Sequence, residues 1–230
     1  PKGTELHILT SKTRYGVEQQ DENGALYCDE RGDTLKFWRL GGIDTAEFLE
    51  RFKEPKRRNI TRSQFDSLAK AKQDDVKDTG SYVLGNFQPY DGSKWADGKF
   101  TVRNETYLIN RTGIAIDYDD ITPDQALQLD ERSKELNCAG VIHSTLKSTA
   151  ENPRRRLVIP VGNPIPKNDF PSVVKNIAGR IGLPIDEASV KNNQFMYFPA
   201  VLADQEYHYV KLDGPLLDYL EAKFGAIYGL

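Results

Sequence analysis

The stretch Gly113-Ile114-Ala115-Ile116-Asp117-Tyr118-Asp119-Asp120-Ile121 is an apolar, strand-forming run that ends in paired acids. Side chains alternate across a β-strand, so residues two apart point to the same face. Asp117 and Asp119 are therefore expected to project together from the end of a strand held in a sheet. Neighbouring carboxylates repel each other unless a cation or a proton lies between them. The pattern predicts a site for a hard divalent cation, although a solvated Asp-rich turn before Thr122-Pro123 has the same pattern.

The composition is that of a globular protein. The 230 residues are 38% hydrophobic, enough for one large domain or two smaller lobes. A formal net charge of −3 excludes a uniformly basic coat but permits local basic patches. Cys28 and Cys138 are far apart and indicate neither a zinc site nor a disulfide framework, so we expect a reducing cytoplasm. No apolar run is long enough for a membrane helix, and the start at Pro1 is expected for a piece of a longer protein.

Short strands and helices are interleaved without a strict βαβ rhythm. Apolar periodicity and turn residues predict strands at 81–87, 139–145, 157–161 and 194–201. The same criteria, with capping residues, predict helices at 45–54, 61–76, 122–136, 170–181 and 215–224, with Leu127 and Leu136 in the apolar stripe of the third. Two further strands, 106–110 and 114–118, are expected to form a hairpin through Arg111-Thr112-Gly113.

These elements predict an α+β fold with a mixed or mainly antiparallel sheet flanked by helices. The first 44 residues combine short apolar runs with Gly and Asp turns, which is typical of short strands or irregular structure. We expect residues 1–60 to be an N-terminal extension packed on a core domain formed by residues 61–230.

Four separated segments resemble, in order, the archaeo-eukaryotic primase superfamily, in the branch of primase-polymerase domains of phage, plasmid and other mobile-element replication proteins. The segments are residues 77–85, 111–121, 143–160 and 185–199, and the resemblance covers roughly residues 60–215. It implies the fold of the primase catalytic core. It also implies single-stranded DNA template and nucleoside triphosphates as substrates. Such domains are often fused to a helicase, so a helicase domain or replication proteins are the implied partners.

The resemblance assigns roles to individual residues. Asp117 and Asp119 match the metal ligands of the first motif, and Asp186 matches the third carboxylate. Together they would hold two Mg²⁺ or Mn²⁺ ions for nucleotidyl transfer. The implied nucleotide- or phosphate-binding residues are Ser144, Thr145, Lys147, Arg154 and Arg156. Considered alone, Asp186 is also explained as a residue that caps a turn, and the arginines as a solvated strand edge.

The chain departs from the family pattern in the second motif. The histidine expected two residues after Ser144 is Leu146, which cannot donate a hydrogen bond to a phosphate. Ser148 stands where a second histidine is common, and Gln194 where an arginine is common before the trailing strand. His143 lies three residues upstream of Leu146, a spacing expected to turn it to the other face of a strand.

A basic cluster lies between the first two predicted helices. It consists of Arg51, Lys53, Lys56, Arg57, Arg58 and Arg62. Such a cluster is either a solvated surface or a site that attracts a phosphate backbone. Within it, Arg57, Arg58 and Arg62 are the predicted DNA contacts.

Three functions are compatible with these features. The first is a metal-dependent primase-polymerase that builds or extends a primer on single-stranded template, and it rests on the three acids. The second is a catalytically degenerate primase-like domain that binds DNA or docks a replication initiator or helicase, and it rests on Leu146 and Gln194. The third is a metal-dependent phosphoesterase, for which no His-rich second metal shell is found.

Overall fold

The computed structural model describes residues 4–21, 23–90 and 98–228, and side chains within this range up to residue 224. Among these residues, the strands are β1 (Glu5–Ser11), β2 (Phe37–Asp44), β3 (Lys56–Arg57), β4 (Ser81–Phe87), β5 (Phe100–Val102), β6 (Leu108–Tyr118), β7 (Gly140–Ser144), β8 (Arg155–Pro166), β9 (Met196–Tyr197), β10 (Ala200–Val201) and β11 (Tyr209–Leu212). The α-helices are α1 (Thr45–Glu50), α2 (Arg62–Asp66), α3 (Lys70–Lys77), α4 (Pro123–Glu135), α5 (Phe170–Ile181) and α6 (Tyr219–Tyr228). Short 3-10 helices cover Glu105–Tyr107 and Glu187–Val190.

Nine of the strands form one sheet. Its order is β11, β7, β8, β6, β4, β1, β2 and β5, and β9 pairs with β4 outside this path. All neighbouring strands in this sheet are antiparallel, whereas β3 and β10 form a separate parallel pair. The predicted α+β fold with a mainly antiparallel sheet is therefore confirmed. Strand β6, which carries the acidic motif, lies in the interior of the sheet between β4 and β8.

Both faces of β6 are covered. Ile114 and Ile116 belong to a core cluster that includes side chains of α4 and α5. Ala115 belongs to a second cluster that includes Phe48 of α1. Because side chains alternate along the strand, Asp117 projects on the Ala115 face. This alternation places the first acid of the motif on the face opposite α4 and α5.

The N-terminal region contributes directly to the sheet. Strand β1 pairs with β2 on one side and with β4 on the other. Residues 12–36 connect β1 to β2, and the described part of this segment is irregular, with isolated bridges such as Val17 with Phe37 and Cys28 with Thr34. A boundary between an extension and a core domain at residue 60 stays a prediction.

The predicted hairpin through Arg111-Thr112-Gly113 is wrong, because β6 passes through this triplet as one continuous strand. The pairing of β6 with β8 shifts register between Arg111 and Gly113, which indicates a bulge. Arg111 donates through Nε to the Leu84 carbonyl at 2.6 Å, and Thr112 Oγ1 donates to the His7 carbonyl at 2.5 Å. Contacts with β4 and β1 therefore keep this triplet extended, although its composition favours a turn.

The single helix predicted over residues 61–76 is two helices. Thr61 and Gln64 form a capping box that starts α2. The helix ends after Asp66, and α3 begins only after Ala69, whose extended backbone (ψ 149°) interrupts the helix. No residue of α3 is buried, so no apolar stripe ties it to a continuous helix. The break allows Phe65 to pack into a cluster with Leu146.

Three further predictions differ from the structure: the buried face of α4, the strand over 194–201 and the helix over 215–224. Leu127 is 65% exposed, and α4 instead buries Ala126, Leu129 and Ser133. The strand predicted over 194–201 is divided into β9 and β10, and Pro199 lies between them. Because proline lacks an N–H, it cannot donate to a continuous ladder.

The helix predicted over 215–224 starts only at residue 219, because the preceding residues pair with other strands. The Leu217 carbonyl accepts from Gly162 N at 2.9 Å, and the Pro215 carbonyl accepts from Ala139 N at 2.7 Å. By contrast, α5 has the predicted bounds. None of the helices in the described residues is long and apolar enough to cross a membrane.

We predict that Gly113→Ala destabilises the protein by about 1–3 kcal/mol, because β6 is tightly packed at this point. An added Cβ would lie 2.6 Å from Leu84 Cδ1 and 3.0 Å from the Ile159 carbonyl oxygen. The matched control is Gly179→Ala on α5, where a Cβ meets nothing within 4 Å. This control is expected to gain about 0.5–1 kcal/mol from helix propensity. Urea denaturation measures both changes, and a loss in the control as large as that in Gly113→Ala would contradict the prediction.

Candidate functional site

A row of polar side chains crosses four strands on the Ala115 face of the sheet. Asp117 on β6 is directly opposite Arg156 on β8, and Arg156 is opposite His143 on β7. His143 is in turn opposite Tyr209 on β11. Directly opposed residues of antiparallel strands share a face and lie close together. Strand register therefore brings an acid, a guanidinium and an imidazole from distant sequence positions into one row.

Arg156 and Asp117 form a bidentate ion pair. Arg156 Nε lies 2.6 Å from Asp117 Oδ1, and Nη2 lies 2.9 Å from Oδ2. The remaining nitrogen, Nη1, donates to the Tyr197 carbonyl at 2.9 Å. The Arg156 and Asp117 side chains are 9% and 14% exposed. In this arrangement both oxygens of Asp117 accept from the arginine.

Asp119 is more accessible than Asp117 and has a single ion pair. Its Oδ2 accepts from Arg154 Nη1 at 2.9 Å, and its side chain is 36% exposed. Burial raises the pKa of Asp119, and the charge of Asp117 raises it further, while Arg154 and Arg156 oppose the shift. Asp186 also raises this pKa, to a smaller extent. The three predicted acids are therefore close enough to interact electrostatically.

Asp186 is held against the strand of the first motif by backbone contacts. Its amide donates to the Asp117 carbonyl at 2.8 Å, and the Asp117 amide donates to Ser189 Oγ at 3.0 Å. One carboxylate oxygen of Asp186 caps the following 3-10 helix by accepting from Ala188 N at 2.9 Å. The turn-cap explanation of Asp186 is thus correct locally. The tertiary structure nevertheless brings the third motif onto the first.

A cavity of about 190 Å³ opens beside Asp117 and Asp119, and Asp186 is not among the residues that line it. Charged, polar and apolar side chains line it: Lys77, Asp117, Asp119, His143, Thr145, Leu146, Lys147, Arg154, Arg156, Tyr197, Phe198, Pro199 and Ala200. We call it the acid cavity. It brings together six of the residues predicted from the motifs. Lys77, the first residue of the segment 77–85 that resembles the primase pattern, is an additional basic residue at this cavity.

His143 and Leu146 both line the acid cavity. The prediction that their spacing places them on opposite faces of a strand is therefore wrong. The reason is that β7 ends at Ser144, so strand alternation does not extend to Leu146. The ring is 1% exposed, its Nδ1 donates to the Ser144 carbonyl at 3.0 Å, and Nε2 has no partner among the described residues. Burial, followed by the charge of Arg156, lowers the pKa of His143 to about 3.

Two other second-motif residues have structural contacts. Ser144 does not line the acid cavity, and its Oγ accepts from His208 N at 3.0 Å. Leu146 is 6% exposed and packs with Phe65, Ala200 and Leu202, so it adds an apolar wall to the cavity.

The three arginines predicted to contact DNA donate to backbone carbonyls. Arg57 donates to the Leu202 carbonyl at 3.0 Å, and Arg58 Nε donates to the Val76 carbonyl at 2.6 Å. Arg62 donates to the carbonyl of Leu146 at 2.8 Å. These contacts hold loops together around the site. A role of these arginines in DNA binding stays a prediction.

The donor chemistry around Asp119 fits a divalent cation, because the charges of Asp117 and Asp186 raise the pKa of Asp119 and carboxylates are hard oxygen ligands. The hydrogen bonds given above occupy only one oxygen of Asp119 and one of Asp186, so Asp119 Oδ1 and the other oxygen of Asp186 are left to bind an ion. Asp117 is engaged by Arg156, and the described part of the chain has no preformed group of three or more His, Cys, Asp or Glu side chains arranged to hold a metal. Asp119 and Asp186 are thus the residues best able to bind an ion.

The fold and the site define an α+β domain with acids at the end of an interior antiparallel strand, next to a cationic cavity. The chain belongs to the VapE N-terminal domain family, which it matches over residues 12–223. Among solved structures, it is similar to the AEP domain of the primase-polymerase of cyanophage S-2L, with a TM-score of 0.44 and 12% sequence identity. That similarity covers 77% of this chain and 93% of the phage domain. A search of curated proteins found no significant match.

We predict that Arg156→Met destabilises the protein by about 3–5 kcal/mol, because it leaves the buried Asp117 without a counter-charge. The double variant Asp117→Asn/Arg156→Met is expected to lose less, since no unpaired charge remains. The control is Arg51→Met, which breaks the exposed 3.0 Å pair with Glu47 on the surface of α1 and is expected to cost less than about 0.5 kcal/mol. Denaturation at pH 7 measures the free energy of unfolding of all three variants. Similar losses of stability in the Arg156 and Arg51 variants would contradict the burial argument.

We predict that His143 makes the protein acid-sensitive. Its folded pKa of about 3 lies below the ordinary value of 6.5, so the unfolded chain binds an extra proton between these values. Stability should therefore fall as the pH drops from 6.5 toward 4, with this residue contributing a slope of up to about 1.4 kcal/mol per pH unit. In His143→Phe this slope should be reduced, whereas the control His7→Gln, at an exposed position of β1, should retain it. An unchanged slope in His143→Phe would refute the assignment.

Proposed function

We propose that this chain is the primase-polymerase domain of a mobile-element replication protein and catalyses nucleotidyl transfer onto a primer or an initiating nucleotide. The observation that carries the proposal is the docking of Asp186 onto the strand of the acidic pair, through its 2.8 Å hydrogen bond to the Asp117 carbonyl. This contact unites the first and third motifs of the primase resemblance, which are separated by more than 60 residues of sequence.

The residues of the acid cavity, together with Asp186, have distinct parts in the proposed reaction. A bound Mg²⁺ or Mn²⁺ would lower the pKa of the attacking hydroxyl and neutralise charge on the triphosphate. Asp119 and Asp186 would hold the ion, with Asp117 as the third carboxylate. Arg154 and Arg156 hold the acids in position, and Thr145 and Lys147 face the same cavity for contact with the nucleotide.

The proposed substrates are nucleoside triphosphates and a single-stranded DNA template. Arg57, Arg58 and Arg62 are proposed template contacts by virtue of their positive charge, in addition to their bonds to backbone carbonyls. We further propose that a helicase domain or other replication proteins act together with this domain, in the cytoplasm.

A second function is favoured by the state of Asp117. Its two oxygens are both engaged by a buried arginine, and the phosphate-binding histidine of the second motif is replaced by the packed Leu146. A primase-like domain with these features can bind nucleotide or DNA without catalysing transfer. In this alternative, the domain serves as a binding or docking module of a replication initiator or helicase.

A primer-extension assay separates the two functions. The chain is incubated with Mg²⁺ or Mn²⁺, labelled nucleotides and single-stranded or primed template. We expect extended product from the wild type and a loss of more than about 100-fold in Asp119→Asn and in Asp186→Asn, since each substitution removes charge that would hold the ion.

The matched control is Asp120→Asn, which changes the exposed acid next to Asp119 and should retain activity. If the wild type forms no product with either metal, the enzymatic proposal fails. Retained binding of single-stranded DNA, with affinity that falls steeply as salt rises, would then support the binding module.

A further inference from the structure

Each of the two arginines of the acid cavity has an acid of its own, whereas Lys77 shares Asp74 with two other cations and Lys147 has no ion pair among the described residues. Arg156 pairs with Asp117, and Arg154 pairs with Asp119. These four charges balance within the cavity. Lys77 lines the same cavity together with Lys147. The excess positive charge of the cavity therefore lies at its lysines.

Lys77 belongs to a group of cations that shares one acid. Asp74 accepts from Lys70 Nζ at 2.7 Å, from Lys77 Nζ at 3.0 Å and from Arg14 Nη1 at 3.0 Å. One carboxylate balances one of these three charges and leaves two in excess. The side chain of Lys77 is only 19% exposed, so its ammonium group is partly removed from water.

Lys147 adds to this excess from the turn between β7 and β8. It forms no ion pair with any residue in the described part of the chain, and its charge contributes to lowering the pKa of Lys77, after the larger effect of burial. Arg62 and Gln205 hold the backbone of this turn by donating to carbonyls of residues 145–148. The turn is thus fixed with its lysine at the cavity. Two like charges held together in a cavity favour binding of an anion.

We propose that Lys77 and Lys147 bind the phosphate chain of the nucleoside triphosphate, an inference that rests on the proposed function. Their ammonium groups supply charged donors to phosphate oxygens, which Leu146 cannot do. Arg154 and Arg156, by contrast, act by positioning the acids. The excess charge suits a triphosphate better than a monophosphate, because each added phosphate brings further negative charge to the lysines. The phosphates of a DNA strand offer the same chemistry, and the test separates the two sources.

Isothermal titration of the chain with deoxyadenosine triphosphate in EDTA tests the assignment without any metal. We expect binding by the wild type and about tenfold weaker binding in Lys77→Met and in Lys147→Met, the loss of one charged contact each. The slope of log affinity against log salt should fall by about one in each variant. The two substitutions should weaken binding of deoxyadenosine monophosphate less than binding of the triphosphate. Binding of a single-stranded oligonucleotide should be unchanged.

The matched control is Lys72→Met, which changes an exposed lysine on α3 that pairs with Asp75 away from the cavity. It should bind the triphosphate as the wild type does, and thermal denaturation verifies that all variants are folded. The assignment is overturned if the wild type does not bind the triphosphate in EDTA, or if both lysine variants bind it normally. It is also overturned if these variants lose oligonucleotide binding alone. Primer extension by the wild type would still support the proposed function in each of these cases, so the two failures are distinguishable.

Discussion

The pair of Asp117 and Arg156 is the interaction on which the arrangement of the site depends. A buried carboxylate requires a counter-charge, and strand register provides one directly opposite on β8. The same guanidinium reaches the Tyr197 carbonyl, while the backbone of Asp117 is bonded to Asp186 and Ser189. The pair and the Asp117 backbone thereby join β6, β8, β9 and the segment 186–189. A disturbance of this pair would alter the whole row of polar residues across the sheet.

The charges of the acid cavity are divided into two groups. At one side, arginines neutralise Asp117 and partly neutralise Asp119, so the acids are stable inside the fold without an added cation. At the other side, the positive charges of Lys77 and Lys147 are not fully neutralised by acids among the described residues. This division is consistent with our proposals that a cation binds near Asp119 and that an anion binds near the lysines. In our proposal, Lys77 and Lys147 take the place of the phosphate-binding histidine that the primase pattern has where this chain has Leu146.

Sequence patterns predicted the elements whose signals are local. Helix α5 was predicted with its observed bounds because its apolar residues recur at helical spacing. In the structure, Gly182 follows it in the left-handed conformation (φ 71°). The start of α4 followed from Thr122, which forms a capping box with Gln125. Predictions failed where long-range contacts overrode local preference. Neighbouring strands keep residues 111–113 extended, and pairing with β8 delays the start of α6.

The sequence alone determined the α+β class, the paired acids at the end of a strand and the departure of Leu146 from the family pattern. These depend on residue type and short spacing, which a sequence displays directly. Only the tertiary structure decided which charges meet: Arg156 with Asp117, His143 with the cavity, and Lys77 with Lys147. Such pairings depend on strand register and on the end of β7, and a one-residue shift in register would send each side chain to the opposite face. The acids can thus be identified from the sequence, whereas the fold determines which residues pair with them and so govern their chemistry.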